Sequence, residues 1–446
     1  MLGATIAGGD EYLSRQGRVI SNRPRVRVVC RIVPRRGGCG RSRMQEYDVI
    51  SRPSQSGRET SSEPTPFRVL VTCTFFEPGF RGGGPVRSVA HILDAASARV
   101  APVLVTRDRD LGAAEAYPGL SGRWVDRGRA RVFYLARRQP RQWYQLWRQL
   151  RAMRFDLLYV NSLWAPMSLV PVLAVRIGLL RARRVMVAPR GECSPGALSL
   201  KPGRKRLFVT GWRRVLRSLA VEFHASTERE AVDVRRMFPW ATVRINANQT
   251  ALPPEPAPIP ASAPGPLRLV FVGRVAAMKN LALALEALAI VRRPVLLDVY
   301  GPIEDTAYWR RCEGLLAALP PNVRARYHGS LAPSAVVDLL AHHDALVLPT
   351  LGENFGHVIA ESLAGSCPVL CSDRTPWSAI LRDGGGAVLP ELTAGAWAAE
   401  IDRWAGLTSE QRRATRLAAG DAYRRWRAEM AGVNILDLMS EIVDQS

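Results

Sequence analysis

Lysine is nearly absent from this 446-residue chain: Lys201, Lys205 and Lys279 are the only three. The net charge of +23 is therefore carried almost wholly by arginine. Such a charge favours anionic partners (phosphorylated substrates, acidic lipid surfaces or nucleic acid), although alongside so many alanines it also fits a genome-wide codon bias. Paired cysteines are missing as well. The seven cysteines form no Cys-x-x-Cys or Cys/His cluster, which leaves no zinc-type site and suits a reduced, cytoplasmic setting. The apolar run Leu163–Val175 contains Pro166 and Pro171 and is too short for a bilayer span. No apolar segment follows a basic start, so a secretory signal is not expected. Helix-turn-helix, zinc-finger and RNA-recognition aromatic motifs are also lacking, which weighs against a specific nucleic-acid partner.

What is present is an ordinary globular composition, 47% hydrophobic and 23% charged, in a chain long enough for two or three domains. Residues 1–66 are rich in Arg, Gly, Ser and Pro without sustained periodicity, and read as a disordered basic extension or as a segment upstream of the true start. Residues 251–266, ALPPEPAPIPASAPGP, form a semi-rigid linker. They divide the remainder into 67–250 and 267–446. Both parts alternate short apolar strands with helices, so an α/β architecture with parallel sheets is expected.

Four stretches carry the chemistry. In the first, the strand Phe67–Thr72 runs into Gly82-Gly83-Gly84-Pro85 and then a helix from about Val86 to Ala96, with Arg87 in its first turn. Strand, glycine-rich loop and helix bring backbone close to a phosphate. In the second, Leu267–Val272 leads to Gly273-Arg274 and Lys279, two cations at a strand end. In the third, Asn161 ends the strand Phe155–Asn161, and Arg190 follows Val185–Ala188. The fourth is ALVLPTLGENFGHVIAESLAGSCPVLCSD, Ala345–Asp373: a buried strand, a loop over Thr350–Asn354, a helix from Phe355 to Ala364, and a strand Pro368–Cys371. Glu353 and Glu361, with seven residues between them, face one crevice if that helix starts near Glu353. The N–H groups of Phe355 and Gly356 offer an anion site at its N-terminus.

Two further features weigh less. Asp108-Arg109-Asp110 has the form of a metal-binding Asp-x-Asp, but no other residue supports a metal and none is expected. Gln142–Met153 places Trp143, Leu146, Trp147 and Leu150 at helical spacing among arginines. Packing of that stripe on a sheet is favoured over a membrane surface. The basic stretch Lys201–Arg217 nonetheless suits an enzyme whose acceptor is a membrane lipid. His224 reads as structural.

Glu353-Asn354-Phe355-Gly356, followed after four residues by Glu361, resembles the signature of retaining glycosyltransferases of family four. The resemblance covers about Phe67 to the C-terminus and is strongest from Gly273 to Asp373. It implies the GT-B architecture: two Rossmann-like domains facing each other across a donor-binding cleft, with the last helix crossing back to the first domain. By the same resemblance, Glu353, Arg274 and Lys279 are catalytic, and Gly83, Gly84, Asn354, Phe355, Gly356 and Glu361 bind a nucleotide-sugar donor. Loops near Gly301 and His328–Leu331 would line the base pocket. Arg87, Asn161, Arg190 and Lys201 are acceptor or phosphate contacts. Many relatives carry a His after the strand that here ends in Asn161-Ser162, which leaves no proton shuttle at that point.

The implied reaction moves a sugar to a hydroxyl of a glycan or lipid-linked acceptor, in surface polysaccharide or lipopolysaccharide biosynthesis. Neither metal nor cofactor is expected, and the location is cytoplasmic, on or near the inner membrane face. A nucleotide-sugar 2-epimerase of the same fold is the alternative, disfavoured by the glycine loop and the basic acceptor side. A basic nucleic-acid-binding protein is a third reading; its DNA binding would vanish on deleting residues 1–66.

Overall fold

The structure is a computed structural model, and it describes residues 65–194, 202–248, 251–260, 265–430 and 432–445. The basic extension before residue 65 and Lys201 lie outside the described residues.

The first domain is built on eight strands: β1 (Phe67–Cys73), β2 (Val100–Arg107), β3 (Trp124–Arg127), β4 (Ala130–Leu135), β5 (Arg154–Asn161), β6 (Arg181–Ala188), β7 (Glu222–Ala225) and β8 (Thr242–Ile245). They lie in the order β3-β4-β2-β1-β5-β6-β7-β8. Only the β3–β4 pair is antiparallel. β1 and the second halves of β5 and β6 are near-continuous apolar runs, as a parallel sheet covered on both faces requires. Separate apolar clusters cover its two faces. The register sets Cys73 beside Asn161 and Asn161 beside Ala188. The carboxyl ends of β1, β5 and β6 therefore stand side by side, where open α/β sheets bind their ligands.

The second domain holds β9 (Leu267–Val272), β10 (Val295–Tyr300), β11 (Val323–Tyr327), β12 (Ala345–Leu348), β13 (Val369–Ser372) and β14 (Gly386–Leu389). All pair in parallel, in the order β11-β10-β9-β12-β13-β14. Its single core includes Trp377, Trp397 and Trp426.

Three elements differ in detail from what the sequence suggests. The linker does not stand free: the Ala257 N–H donates to the Ala364 carbonyl at 2.7 Å, and the Tyr423 hydroxyl donates to the Pro253 carbonyl at 2.6 Å. Proline-rich backbone has spare carbonyls, and the second domain uses them. The helix after the signature loop starts at His357, because Gly356 takes the left-handed conformation (φ 82°) that Phe355 would resist. The C-terminal run breaks into Ser409–Glu429 and Ile435–Asp444. In the second of these, Ile435, Leu436, Met439 and Val443 are buried in the first domain's core with Phe67, Val89 and Leu93. Asn434 fastens its start, accepting from the Leu436 N–H and donating to the Ile92 carbonyl, each at 2.9 Å.

The helix Pro140–Ala152 turns Leu146 and Leu150 inward, and Trp143 and Trp147 pack against the same cluster. Its apolar stripe is thus used by the sheet. Among the described residues, no helix is long and apolar enough to cross a membrane.

Candidate functional site

The glycine loop and the signature loop meet across the cleft. Gly83 is left-handed (φ 75°), and a Cβ there would lie 3.6 Å from Nε of Arg274 in the other domain. A Cβ on Gly84 would fall 2.6 Å from Cδ2 of His357. The next helix, Gly84–Asp94, reaches the same place with two side chains. Ser88 Oγ lies 2.9 Å from His357 Nε2, and Arg87 forms an ion pair with Glu361. Glu361 is buried, and its Oε2 has no hydrogen-bond partner. A buried acceptor of this kind leaves a donor group still to be supplied.

On the second-domain side, Lys279 Nζ and Glu353 Oε1 are 2.5 Å apart, both largely shielded. Arg274 is more exposed and binds Glu304 at 2.7 Å. Gly356 caps its helix without a side-chain acceptor. The first N–H groups of that helix consequently remain available to an anion. The Phe355 ring points the other way, into the core, packing on Trp377 and Trp426. Its carbonyl accepts from Trp377 Nε1 at 2.5 Å, which holds the loop.

The carboxyl ends of β5 and β6 supply a polar floor. Arg190 donates to Asn161 Oδ1 from Nε (3.1 Å) and Nη2 (2.8 Å), to the Tyr159 hydroxyl at 2.9 Å and to Asn248 at 2.6 Å. Asn161 and Arg190 are therefore partners, with the amide orienting the guanidinium. Beyond them the chain continues inward: Tyr159 lies 2.6 Å from His224 Nδ1, and His224 Nε2 donates to the Asn246 carbonyl at 2.9 Å. Because a carbonyl only accepts, Nδ1 is the acceptor and the Tyr159 hydroxyl donates to it. Burial pushes His224 down to about 3 and Tyr159 up to about 12. His224 is thus a neutral structural group.

Several residues placed at this site gave no clear signal in the sequence. His357 is one: burial, reinforced by the charges of Arg87, Arg190 and Lys279, pushes it down to about 3. It is the cleft's neutral histidine, and it comes from the opposite domain to the strand end where a histidine was sought. Glu230 is another. It receives the Gly191 N–H at 2.7 Å and the Ser226 N–H and hydroxyl at 2.8 and 2.9 Å. Ser226 in turn accepts from the Asn354 amide at 3.1 Å, so the signature loop rests on the first domain. Thr227 caps the same helix by accepting from the Glu230 N–H at 3.1 Å, so Glu230 serves both the cap and these contacts. Glu192 accepts from the Ser162 hydroxyl at 2.9 Å and the Leu163 N–H at 2.5 Å, fixing the loop after β5.

Asp108 and Asp110 are taken up internally. Burial alone would raise Asp108, but hydrogen bonds from Arg109 and Ser121 hold its carboxyl below the usual range. Asp110 accepts the Phe80, Arg81 and Leu111 N–H groups at 2.9, 3.1 and 2.7 Å. Among the described residues, no group of three or more His, Cys, Asp or Glu side chains is placed to hold a metal ion. A cavity of about 420 Å³ opens between the domains, lined by Arg81, Leu111, Pro302, Ile303, Glu304 and Tyr327 among others.

Two parallel sheets facing each other across such a cleft decide the architecture. The chain has the GT-B fold. Residues 257–419 match the family model described as Glycosyl transferases group 1. Solved structures with the same fold include HepE of Anabaena in complex with UDP-glucose (TM-score 0.61, 13% identity, covering 85% of this chain and 100% of that one). The sucrose-phosphate synthase of Thermosynechococcus elongatus aligns with TM-score 0.61 at 16% identity, over 85% of this chain and 98% of its own. WaaG, a glycosyltransferase involved in lipopolysaccharide biosynthesis, gives TM-score 0.55 at 15% identity, over 84% and 98%. No curated protein matches the chain by sequence.

Proposed function

We propose that this chain is a retaining, metal-independent glycosyltransferase that moves a sugar from a nucleotide-sugar donor to a hydroxyl of a glycan or lipid-linked acceptor. The observation that supports this most is the Lys279–Glu353 pair, set beside an uncapped helix N-terminus and opposite the Gly83-Gly84 loop. The family match over 257–419 supports the same reading. The solved relative HepE holds UDP-glucose, and a nucleoside diphosphate of that kind fits a cleft supplied with Arg274, Lys279 and free N–H groups.

In the proposed reaction the bond from the sugar's C1 to the diphosphate breaks, and the acceptor oxygen bonds to C1 on the same face. Negative charge grows on the departing phosphate. Lys279, Arg274 and the N–H groups after Gly356 stabilise that charge more in the transition state than in the bound donor. The acceptor's proton passes to the departing phosphate oxygen. His357, at about 3, is too weak a base to compete, and Glu353 is held by Lys279. Glu353 positions the sugar hydroxyls, Glu361 the ribose and Asn354 the loop; Arg87 and the Asn161–Arg190 pair face the acceptor side. Arg214 and Arg217, exposed on the helix Pro202–Ser218, support an acceptor carried at an anionic membrane surface. Surface-polysaccharide or lipopolysaccharide assembly is the pathway class this suggests.

The test is the anomeric configuration of sugar released when the enzyme hydrolyses its donor, followed by proton NMR from the first minutes. Retained configuration is expected. First appearance of the inverted anomer would overturn the retaining mechanism.

A further inference from the structure

A second cavity, of about 480 Å³, lies one strand out from the cleft, at the carboxyl ends of β2 and β4. Arg107, Arg109, Arg137 and Arg138 line it together with Asp108 and Gln139. Four arginines thus line one cavity with a single acidic residue. That carboxylate is already committed, to Arg109 Nε at 3.0 Å and the Ser121 hydroxyl at 2.8 Å. Among the described residues, Arg107, Arg137 and Arg138 belong to no ion pair. Arg107 is partly buried, its guanidinium 5.1 Å from the centre of the Phe75 ring. Burial, and then repulsion from Arg137 and Arg109, pulls it below its usual range. The helix Pro140–Ala152 starts at this wall with no acidic residue in its first turn, so its N-terminal dipole adds to the positive field.

The loop after β2 borders both this cavity and the cleft: Arg107, Asp108, Arg109, Ala113 and Ala114 line the arginine cavity, and Leu111 and Gly112 line the cavity between the domains. Its Asp110 also ties down the glycine loop through Phe80 and Arg81. A molecule anchored in the arginine cavity can therefore extend along this loop to the donor. Uncompensated, forked guanidinium groups recognise phosphate oxygens in pairs. We propose that the Arg107–Arg137–Arg138 cavity binds a phosphate group carried by the acceptor. This rests on the transferase reading and narrows it: the acceptor is a phosphate ester, from a soluble sugar phosphate or a lipid-linked phosphate.

The experiment titrates the full chain with inorganic pyrophosphate by calorimetry, after the cleft has been filled with the nucleoside diphosphate that binds it. Saturable binding is expected, weakened at least tenfold in Arg107→Gln/Arg137→Gln and severalfold in Arg137→Gln/Arg138→Gln. Both residues of the second variant are exposed, which keeps folding out of the comparison. Nucleoside diphosphate affinity is expected to stay within twofold in each. Displacement of pyrophosphate by glucose 6-phosphate would support the proposal with a soluble acceptor; displacement by detergent-dispersed polyprenyl phosphate would support it with a lipid one. Pyrophosphate affinity equal in wild type and both variants, or no saturable binding in wild type, would overturn it. Nucleoside diphosphate binding in wild type with no saturable pyrophosphate site would overturn this proposal alone, whereas absence of any nucleoside diphosphate binding would count against the transferase reading, so the two failures are distinguishable.

Discussion

A methyl group on Gly84 would run into the half-buried His357 ring, which Ser88 holds in place. Gly84→Ala is expected to cost about 1–3 kcal/mol of stability and to weaken donor binding severalfold, as the two domains are pushed apart. Denaturant unfolding and donor titration on the one variant measure both. The histidines make a second residue-scale prediction. An unfolded imidazole protonates near 6.5, whereas His224 and His357 in the fold protonate only near 3. With the folded value depressed, their contribution is fully present above about pH 6.5 and is lost as pH falls toward 3. Each should cost on the order of 2 kcal/mol by pH 5. Urea midpoints between pH 7.5 and 5 should fall accordingly, and His357→Gln should flatten that slope by roughly half. At this scale the placement of Glu353, Lys279, Arg274, Asn161 and Arg190 in the cleft was legible in the sequence, each being a charged or amide side chain at or just after a strand end. His357, Ser88 and Glu230 were not, because their roles depend on contacts between distant loops that no spacing encodes.

The Asp-x-Asp segment shows how one motif serves an element. Its second carboxylate gathers three backbone N–H groups and sets the course of the glycine loop. Asp110→Ala should cost roughly 1–3 kcal/mol and lower donor affinity, with no recovery on adding magnesium or manganese. Recovery with either ion would favour a metal role instead. The strands that lead to the site (β1, β5, β6, β9, β12 and β13) were readable because parallel, doubly covered strands are short apolar runs, whereas β3, β4, β8 and β14 were not read from the sequence. Helix starts were less so. Gly356 halts the signature helix one residue before His357 through its backbone conformation, which glycine permits but does not announce. The linker's docking was also hidden, since it relies largely on backbone groups, the Ala257 N–H and the Pro253 carbonyl, with Glu255 adding an ion pair to Arg424.

For the whole molecule, the helix Ile435–Asp444 ties the end of the chain into the first domain's core. Leu436, fully buried there, should lose about 2–5 kcal/mol on replacement by Ala, read as a drop in the unfolding midpoint. If that loss left the unfolding transition untouched, the helix would not be part of the folded unit. On the proposed function, the two sheets and the cleft between them bring a nucleotide-sugar donor and a phosphate-bearing acceptor face to face.

The most direct test is calorimetric titration of a 67–446 chain with UDP, GDP, ADP and CMP, without added metal. The account predicts that one nucleoside diphosphate binds at micromolar strength and that Lys279→Ala weakens it about tenfold or more, the loss of roughly 1.4 kcal/mol or greater. No binding by any of the four, or binding that ignores Lys279, would contradict it.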